Sequence, residues 1–288
     1  MTAVHRIAAG ALAATFVPSL AMVCSSLTDG GEELLDQRHG LDAYAQRGST
    51  MGIPLLHPWA NRLDAPLPAS PLLHRDANGL AIHGVLPAAL PFEVVASGAG
   101  WLRGEFCSDR SAGLMELFGH PHRLTLEASL DAGGLTIRTE LEATGAGPVP
   151  VAYGFHPYLH PPAGDRDSWS VEGPFRSAIE LDDRMLPTGR RMPAPPLADR
   201  LAGRTHDDAF ADVRDGDRFT VSDGVRRLTV TMIEGYGFVQ LYAPADAPVV
   251  CFEPMTAPTN ALATGEGLGR VEPGGSAVAA FSVGVSRA

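Results

Sequence analysis

The chain has 288 residues, of which 45% are hydrophobic and 19% are charged. This length suits one large all-β domain or two ordinary domains, and the apolar content is high enough to exclude an intrinsically disordered protein. The formal net charge is −11. Because an acidic surface repels phosphate backbones and anionic lipids, nucleic-acid and membrane partners are disfavoured.

The first apolar stretch, residues 7–23, could be mistaken for a signal peptide. Pro18 interrupts it, Arg6 is the only firm positive charge before it, and no clean cleavage site follows. We therefore predict two strands, Leu12 to Val17 and Leu20 to Leu27, separated by a turn at the proline.

Three cysteines, Cys24, Cys107 and Cys251, lie far apart in the sequence. A sparse and odd set fits neither a disulfide framework nor a zinc-binding spacing. We predict reduced thiols that are buried as small apolar groups, as in a cytoplasmic protein.

Strand signals recur along the chain, often as hairpins. Residues 124–130 and 135–142 alternate apolar and polar side chains around the turn at 131–134, which predicts a hairpin with one wet face. A second hairpin is predicted where Phe219–Ser222 and Arg227–Met232 flank Asp223-Gly224, a strong turn signal.

Further apolar runs predict strands at 237–242, 249–253 and 277–283. Helical periodicity is nearly absent. It is confined to Leu41–Gln46 and a possible helical turn at Glu32–Gln37.

No composition break or internal repeat divides the chain. Prolines cluster at Met192–Pro196, but strands continue on both sides, so this stretch is predicted to be a surface loop. The sequence predicts one all-β domain over residues 1–288, a large antiparallel β-sandwich with few short helices.

Candidate chemistry lies in segments where polar residues stand among aromatics and prolines. Asn61 and Arg62 follow Trp59, and a guanidinium beside an indole face suits a sugar. The alternative is an arginine that pins a loop through backbone carbonyls. His83 precedes Gly84, a position where a structural turn residue is commoner than a catalyst.

His156 lies between aromatic residues and directly before Pro157. His156 and His160 have a metal-ligand spacing only on a helix, and the neighbouring prolines exclude a helix there. Rigid backbone and aromatic packing instead preorganise one imidazole, whose ordinary pKa of about 6.5 suits proton transfer near neutral pH.

Glu253 ends an apolar run and is followed at once by Pro254. A carboxylate on an apolar strand costs free energy unless it is paired or functional. We interpret Glu253 as a buried, oriented base; the alternative is a glutamate that reaches solvent at the end of a strand.

The order and spacing of these motifs resemble the aldose 1-epimerases, also called galactose mutarotases, a family with related hexose-6-phosphate epimerases. The likeness covers nearly the whole chain. It comprises Gly31–Leu35, Asn61-Arg62, His83-Gly84, His156-Pro157-Tyr158, Asp207–Phe210 and Glu253–Thr256.

The resemblance implies a galactose mutarotase-like supersandwich and an isomerase that interconverts the α and β anomers of a free hexose without cofactor or metal. His156 would donate a proton to the ring oxygen, and Glu253 would be the general base. The implied substrate-binding residues are Asn61, Arg62, His83, Tyr158, Asp207 and Gln240. Asp208 is an alternative to Asp207, and Tyr242 shares the predicted strand of Gln240.

Three other functions stay open from sequence. A hexose-6-phosphate 1-epimerase would need basic residues at the pocket mouth, for which Arg75, Arg103 and Arg110 are candidates. A non-catalytic carbohydrate-binding protein would need no acid–base pair. A glycoside hydrolase would need a second carboxylate, such as Asp207, beside Glu253. The expected partner is a small sugar, and the chain is expected to be a monomer or homodimer.

Overall fold

A computed structural model describes residues 3–288, which are built from short strands and three short α-helices. The strands up to residue 143 are β1 His5–Ala9, β2 Leu12–Val17, β3 Val23–Asp29, β4 Glu32–Glu33, β5 Leu55–Leu56, β6 Arg62–Leu63, β7 Leu73–Arg75, β8 Ala81–Val85, β9 Glu93–Gly98, β10 Trp101–Cys107, β11 His122–Asp131 and β12 Gly134–Ala143.

The later strands are β13 Val149–Val151, β14 Gly154–Phe155, β15 Ser170–Gly173, β16 Ser177–Leu181, β17 Pro187–Pro193, β18 Leu197–Arg200, β19 His206–Ala211, β20 Arg218–Ser222, β21 Arg226–Glu234, β22 Phe238–Ala243, β23 Cys251–Met255, β24 Gly269–Val271 and β25 Ser276–Arg287. The helices are α1 Gly40–Arg47, α2 Ala112–Phe118 and α3 Ala261–Thr264.

Two large antiparallel sheets pack face to face. One has nine strands in the order β18-β15-β20-β21-β25-β12-β11-β10-β9, and the other has seven in the order β17-β16-β19-β22-β23-β14-β5. Aromatic rings from the two sheets meet between them: Phe281 lies 5.1 Å from Phe155, and Phe219 lies 5.8 Å from Phe252, between ring centroids. The predicted all-β antiparallel sandwich with few short helices is confirmed.

The N-terminal strands form a separate four-stranded sheet in the order β1-β2-β3-β4. The predicted strand Leu12–Val17 is confirmed as β2. The next strand begins at Val23 and not at Leu20, so that boundary was wrong. Ala21 and Met22 have positive φ angles, and the Val23 N–H donates to the Leu20 carbonyl, so residues 18–22 form a turn.

Both predicted hairpins are confirmed as the pairs β11–β12 and β20–β21. In each turn an aspartate accepts hydrogen bonds from the backbone. Oδ1 of Asp131 accepts from the N–H groups of Gly133 and Gly134, and Oδ1 of Asp223 accepts from those of Val225 and Arg226. Local turn chemistry thus fixes the registers.

The helical turn predicted at Glu32–Gln37 is wrong, because its first two residues form β4. Oε1 of Glu33 accepts hydrogen bonds from the N–H groups of Leu27, Leu34 and Leu35, and this carboxylate holds the segment extended. The helix predicted at Leu41–Gln46 is confirmed as α1. Helices α2 and α3 were not predicted, since seven and four residues are too few to show a period.

The predicted loop at Met192–Pro196 was partly wrong, because Met192 and Pro193 end β17. Cys24 and Cys251 are buried as predicted, whereas Cys107 is only half-buried, and all three are free thiols. No helix within residues 3–288 has the length and apolar character required to span a bilayer.

The alternation of side chains along each strand determines which of them point away from the core of the sandwich. Phe155 and Phe252 point toward the nine-stranded sheet. Their neighbours His156 and Glu253 therefore point to the opposite, outer face of the seven-stranded sheet. The three-stranded sheet β6-β8-β7 carries Arg62 and His83, and these residues line one cavity together with His156 and Glu253 on that outer face.

Candidate active site

A cavity of about 160 Å³ opens on the outer face of the seven-stranded sheet. Its lining residues are Asn61, Arg62, Ile82, His83, His156, Tyr158, Asp207, Tyr242 and Glu253. Of the eight catalytic and substrate-binding residues that the resemblance implies, Gln240 alone lies outside this lining. Residues that are up to 192 positions apart in the chain (Asn61 and Glu253) thus share one small, polar hollow.

His156 is held by backbone and by ring stacking. Its backbone N–H donates to the Pro54 carbonyl over 3.2 Å. Its ring lies nearly parallel to that of Tyr158, with an interplanar angle of 5° and 4.2 Å between the ring centroids. The ring of His83 meets it edge-on at 5.4 Å. His156 is only 4% exposed, so its imidazole has little contact with bulk solvent.

Glu253 lies on β23 and is 2% exposed. Its Oε1 lies 3.1 Å from Nε2 of His156. Its Oε2 has no hydrogen-bond partner among the described residues 3–288. The carboxyl group therefore stands beside an imidazole in a nearly dry environment, with one oxygen free.

Burial shifts both groups toward their neutral forms. It raises the pKa of Glu253 well above its usual value, and the nearby Asp207 carboxylate adds to this. It lowers the pKa of His156 well below 6.5, with His83 adding to the effect. A neutral carboxyl and a neutral imidazole share one transferable proton, which suits a pair that must both give and accept protons.

Two residues with a left-handed backbone conformation lie on the wall of the cavity opposite His156 and Glu253. Asn61 and His83 have φ angles of 57° and 63°, and the His83 N–H donates to the Asn61 carbonyl over 2.9 Å. Burial, together with the charge of Arg62, lowers the pKa of His83 to about 3, so this imidazole stays neutral. Such strained backbone is common where a ligand must be met at a set angle.

Arg62 is the cation of the site. Its Nε donates to Oδ2 of Asp76 over 2.7 Å, its Nη1 donates to Oδ1 of Asn61 over 3.2 Å, and its Nη2 lies 3.8 Å from Oδ2 of Asp207. Burial alone would raise the pKa of Asp76, but the hydrogen bond and charge of Arg62, together with hydrogen bonds from the backbone N–H groups of Leu80 and Asn78, lower that pKa. The guanidinium is therefore oriented and already shared between two carboxylates.

Asp207 lines the cavity, whereas its neighbour Asp208 lies outside the lining and has Oδ2 2.7 Å from Nδ1 of His206. Burial raises the pKa of Asp207, although a hydrogen bond from Gln240 opposes this. Gln240 is 1% exposed and donates from Nε2 to Oδ1 of Asp207 over 2.6 Å. Gln240 thus does not line the cavity itself but binds Asp207, which does.

The sequence model of the family described as aldose 1-epimerase matches residues 5–282. The chain belongs to the aldose 1-epimerase family.

Solved structures share the fold of this family member. A galactose mutarotase-like protein from Clostridium acetobutylicum has a TM-score of 0.84 at 18% identity, over 99% of this chain and 95% of its own. The Slr1438 protein from Synechocystis sp. PCC 6803 has a TM-score of 0.80 at 23% identity, over 100% and 97%. The GalM/aldose epimerase homologue from C. elegans has a TM-score of 0.76 at 15% identity, over 100% and 99%. No curated protein matches the sequence.

The fold is therefore galactose mutarotase-like, as the resemblance implied, and family membership supports a sugar epimerase. The arginines considered for a phosphate lie elsewhere in this aldose 1-epimerase family member. Arg75 donates to the Gly79 carbonyl, Arg103 pairs with Glu105 and Glu127, and Arg110 pairs with Glu93. All three lie outside the cavity lining.

Sequence reasoning missed two residues that contact the lining, Asp76 and Thr50. Asp76 binds Arg62, and Oγ1 of Thr50 lies 2.5 Å from the hydroxyl of Tyr158. Neither residue stands in a motif, so no sequence signal points to them. Within residues 3–288, no group of three or more histidine, cysteine, aspartate or glutamate side chains could hold a metal ion.

Proposed function

We propose that this chain interconverts the α and β anomers of a free aldohexose by acid–base ring opening. The observation that carries the proposal is the 3.1 Å approach of Nε2 of His156 to Oε1 of Glu253 within one small cavity. Anomer exchange moves one proton off the C1 hydroxyl and one proton onto the ring oxygen. An adjacent acid and base can do both.

The proton count of the pair fits this chemistry. Burial favours a protonated Glu253 and a neutral His156, so the pair carries one transferable proton, on the carboxyl group. The short contact lets this proton pass to the imidazole, and the hydroxyls of a bound sugar then stabilise the two charges. Glu253 becomes the base and His156 the acid.

In the forward step, Glu253 takes the proton of the C1 hydroxyl while His156 gives its proton to the ring oxygen. The C1–O5 bond breaks and an open-chain aldehyde forms. Rotation about C1–C2 followed by closure, with both transfers reversed, yields the other anomer. Each positioned acid or base contributes about 10²–10⁴-fold, which is sufficient for a reaction that already proceeds slowly in water.

The remaining lining residues suit the hydroxyls of the sugar. Arg62 offers oriented N–H donors, the neutral His83 offers one ring nitrogen, and Asp207 offers a carboxylate. Tyr242 gives an aromatic face for the C–H side of the ring, whereas Tyr158 lines the cavity with one face stacked on His156. Asn61 shares the wall with Arg62.

An unphosphorylated sugar is favoured over a hexose 6-phosphate. Among the described residues, Arg62 is the single Arg or Lys in the cavity lining, and Asp76 and Asp207 already share it. A phosphate would have to compete with these two carboxylates and would meet the charge of Asp207. We expect kcat/KM for glucose 6-phosphate to lie at least 10-fold below that for glucose.

Polarimetry on freshly dissolved α-D-glucose or α-D-galactose tests the proposal. His156→Asn and Glu253→Gln should each lose 10²- to 10⁴-fold in kcat while still binding sugar by calorimetry. His39→Asn and Glu172→Gln are matched controls at exposed positions and should keep full activity. A wild-type protein that binds sugar without accelerating mutarotation would instead be a carbohydrate-binding protein, and an active His156→Asn would refute the acid.

A further inference from the structure

The side chain of Thr50 reaches the site from outside it. Thr50 follows helix α1 and does not line the catalytic cavity. Its Oγ1 lies 2.5 Å from the hydroxyl oxygen of Tyr158, a residue 108 positions away. Tyr158 in turn stacks on His156. Thr50 is therefore two contacts from the imidazole without touching it.

The backbone of this segment is fixed independently of the Thr50 hydroxyl. The backbone N–H of Tyr158 donates to the Gly52 carbonyl over 2.8 Å, and the backbone N–H of His156 donates to the Pro54 carbonyl over 3.2 Å. Gly52 has a φ of 64°, and a Cβ there would lie 2.3 Å from the Cys24 carbonyl oxygen. Main-chain pairing thus carries Thr50 to Tyr158, so removing its hydroxyl should leave the chain in place.

The imidazole of His156 lacks the usual means of orientation. A functional histidine is normally held in plane by a hydrogen bond at its second ring nitrogen. Here Nδ1 of His156 has no hydrogen-bond partner among the described residues. Its plane must therefore be set by packing, and the nearly parallel ring of Tyr158 is the contact that matches it.

Tyr158 contacts His156 through the face of its aromatic ring. The Tyr158 hydroxyl lies 3.3 Å from Nε2 of His156, but the two rings are parallel to within 5°. The hydroxyl is therefore displaced along the normal to the imidazole, away from the in-plane direction of the Nε2 lone pair. The ring stack orients His156, and the hydroxyl of Tyr158 is left to bond Thr50.

We propose that Thr50 is a positioning residue that sets the plane of His156 by anchoring the hydroxyl of Tyr158. The inference rests on the proposed role of His156 as the acid. A proton donor whose plane can tilt spends less time aimed at the ring oxygen. Loss of the Thr50 hydroxyl should therefore lower kcat and leave sugar affinity nearly unchanged.

The test compares Thr50→Val, which is isosteric but lacks the hydroxyl, with Thr50→Ser, which keeps it. Thr50→Val should lose about 10-fold in kcat, within the ~100-fold that a misplaced group can cost, with KM within about 2-fold. Thr50→Ser should recover most of the loss. Thr220→Val, which removes a threonine–threonine hydrogen bond in the nine-stranded sheet, should keep the wild-type kcat.

A double-mutant cycle with Tyr158→Phe isolates the pathway. If Thr50 acts through the Tyr158 hydroxyl, the double variant should be no slower than the slower single variant. Additive losses, a wild-type kcat in Thr50→Val, or an equal loss in Thr50→Ser would each overturn the inference. These outcomes are distinct from failure of the proposed function, in which His156→Asn itself would stay active.

Discussion

Gln240 faces Glu253 directly across the β22–β23 ladder and at the same time donates a 2.6 Å hydrogen bond from Nε2 to Oδ1 of Asp207. One buried amide thus lies between the proposed base on β23 and the Asp207 carboxylate on β19 of the same sheet. Gln240 was predicted to contact the sugar. Its position behind the lining instead supports a role in orienting Asp207.

Replacing this amide tests that role. Gln240→Leu removes the donor and leaves Asp207 free to rotate, so we expect KM to rise about 10-fold, in line with the ~1.5–3 kcal/mol of a hydrogen bond to a charged group. The loss in kcat should be smaller. Steady-state kinetics measure both values, and Gln46→Leu at an exposed position of α1 is the control. An unchanged KM would contradict the assignment.

Arg62 should not tolerate lysine. The guanidinium contacts Asp76 through Nε and approaches Asp207 through Nη2, and one ammonium cannot reproduce this fork. We expect Arg62→Lys to raise KM about 10- to 100-fold with a smaller effect on kcat. Arg103→Lys, in a surface ion pair of the other sheet, should behave as wild type. Equal kinetics for the two variants would show that Arg62 only pins its loop.

Gly84 and Gly274 separate backbone strain from steric clash. Their φ angles are 75° and 76°, but a Cβ at Gly84 would lie 2.0 Å from the His57 carbonyl oxygen, whereas at Gly274 it would meet nothing within 4 Å. We expect Gly274→Ala to cost about 1 kcal/mol in free energy of unfolding and Gly84→Ala more than about 3 kcal/mol. Urea unfolding measures both, and equal costs would contradict the clash.

Stability should fall in mild acid because of a buried histidine pair. Nε2 of His57 lies 2.8 Å from Nε2 of His122. Burial lowers the pKa of His122 to about 4 and that of His57 well below 6.5. Below pH ~6.5 the unfolded chain binds protons that the folded chain does not. The free energy of unfolding should therefore decrease as pH falls from ~6.5 to about 4, by up to ~1.4 kcal/mol per pH unit for each histidine.

Urea unfolding between pH 7.5 and 5 measures this slope. Glu253 acts in the opposite direction, because its raised folded pKa favours the folded state as pH falls. The buried His83 and His156 have lowered pKa values and act in the same direction as the pair. The informative quantity is therefore the difference between variants. His122→Asn should flatten the acid loss, and the exposed His39→Asn should retain it. Parallel curves for all three proteins would contradict the assignment to this pair.

Local patterns predicted the fold well wherever structure is decided by neighbours in sequence. The hairpins at Asp131 and Asp223 are such cases, since each turn is closed by its own aspartate. The helical turn at Glu32–Gln37 failed because the carboxylate of Glu33 binds the N–H of Leu27 on the adjacent strand. A hydrogen bond between two strands leaves no periodic pattern in the sequence from which it could be predicted.

The candidate site divides along the same line. His156 and Glu253 stand in local contexts of prolines and apolar runs that set them apart, and the family resemblance supplied their proposed roles. Thr50 stands in no such context. Its contact with Tyr158 spans 108 residues and exists only after the sheets assemble, so sequence alone could not predict it.

Strand β25 pairs with β12 on one side and with β21 on the other, so the last of the described strands in chain order occupies the middle of the nine-stranded sheet. A nascent chain that still lacks these residues leaves the edges of β12 and β21 unpaired, and unpaired strand edges are prone to aggregate. Such a topology has high contact order and folds slowly. Closure of this sheet must wait until residues 276–287 have been synthesised, and chaperone protection matters most just before then.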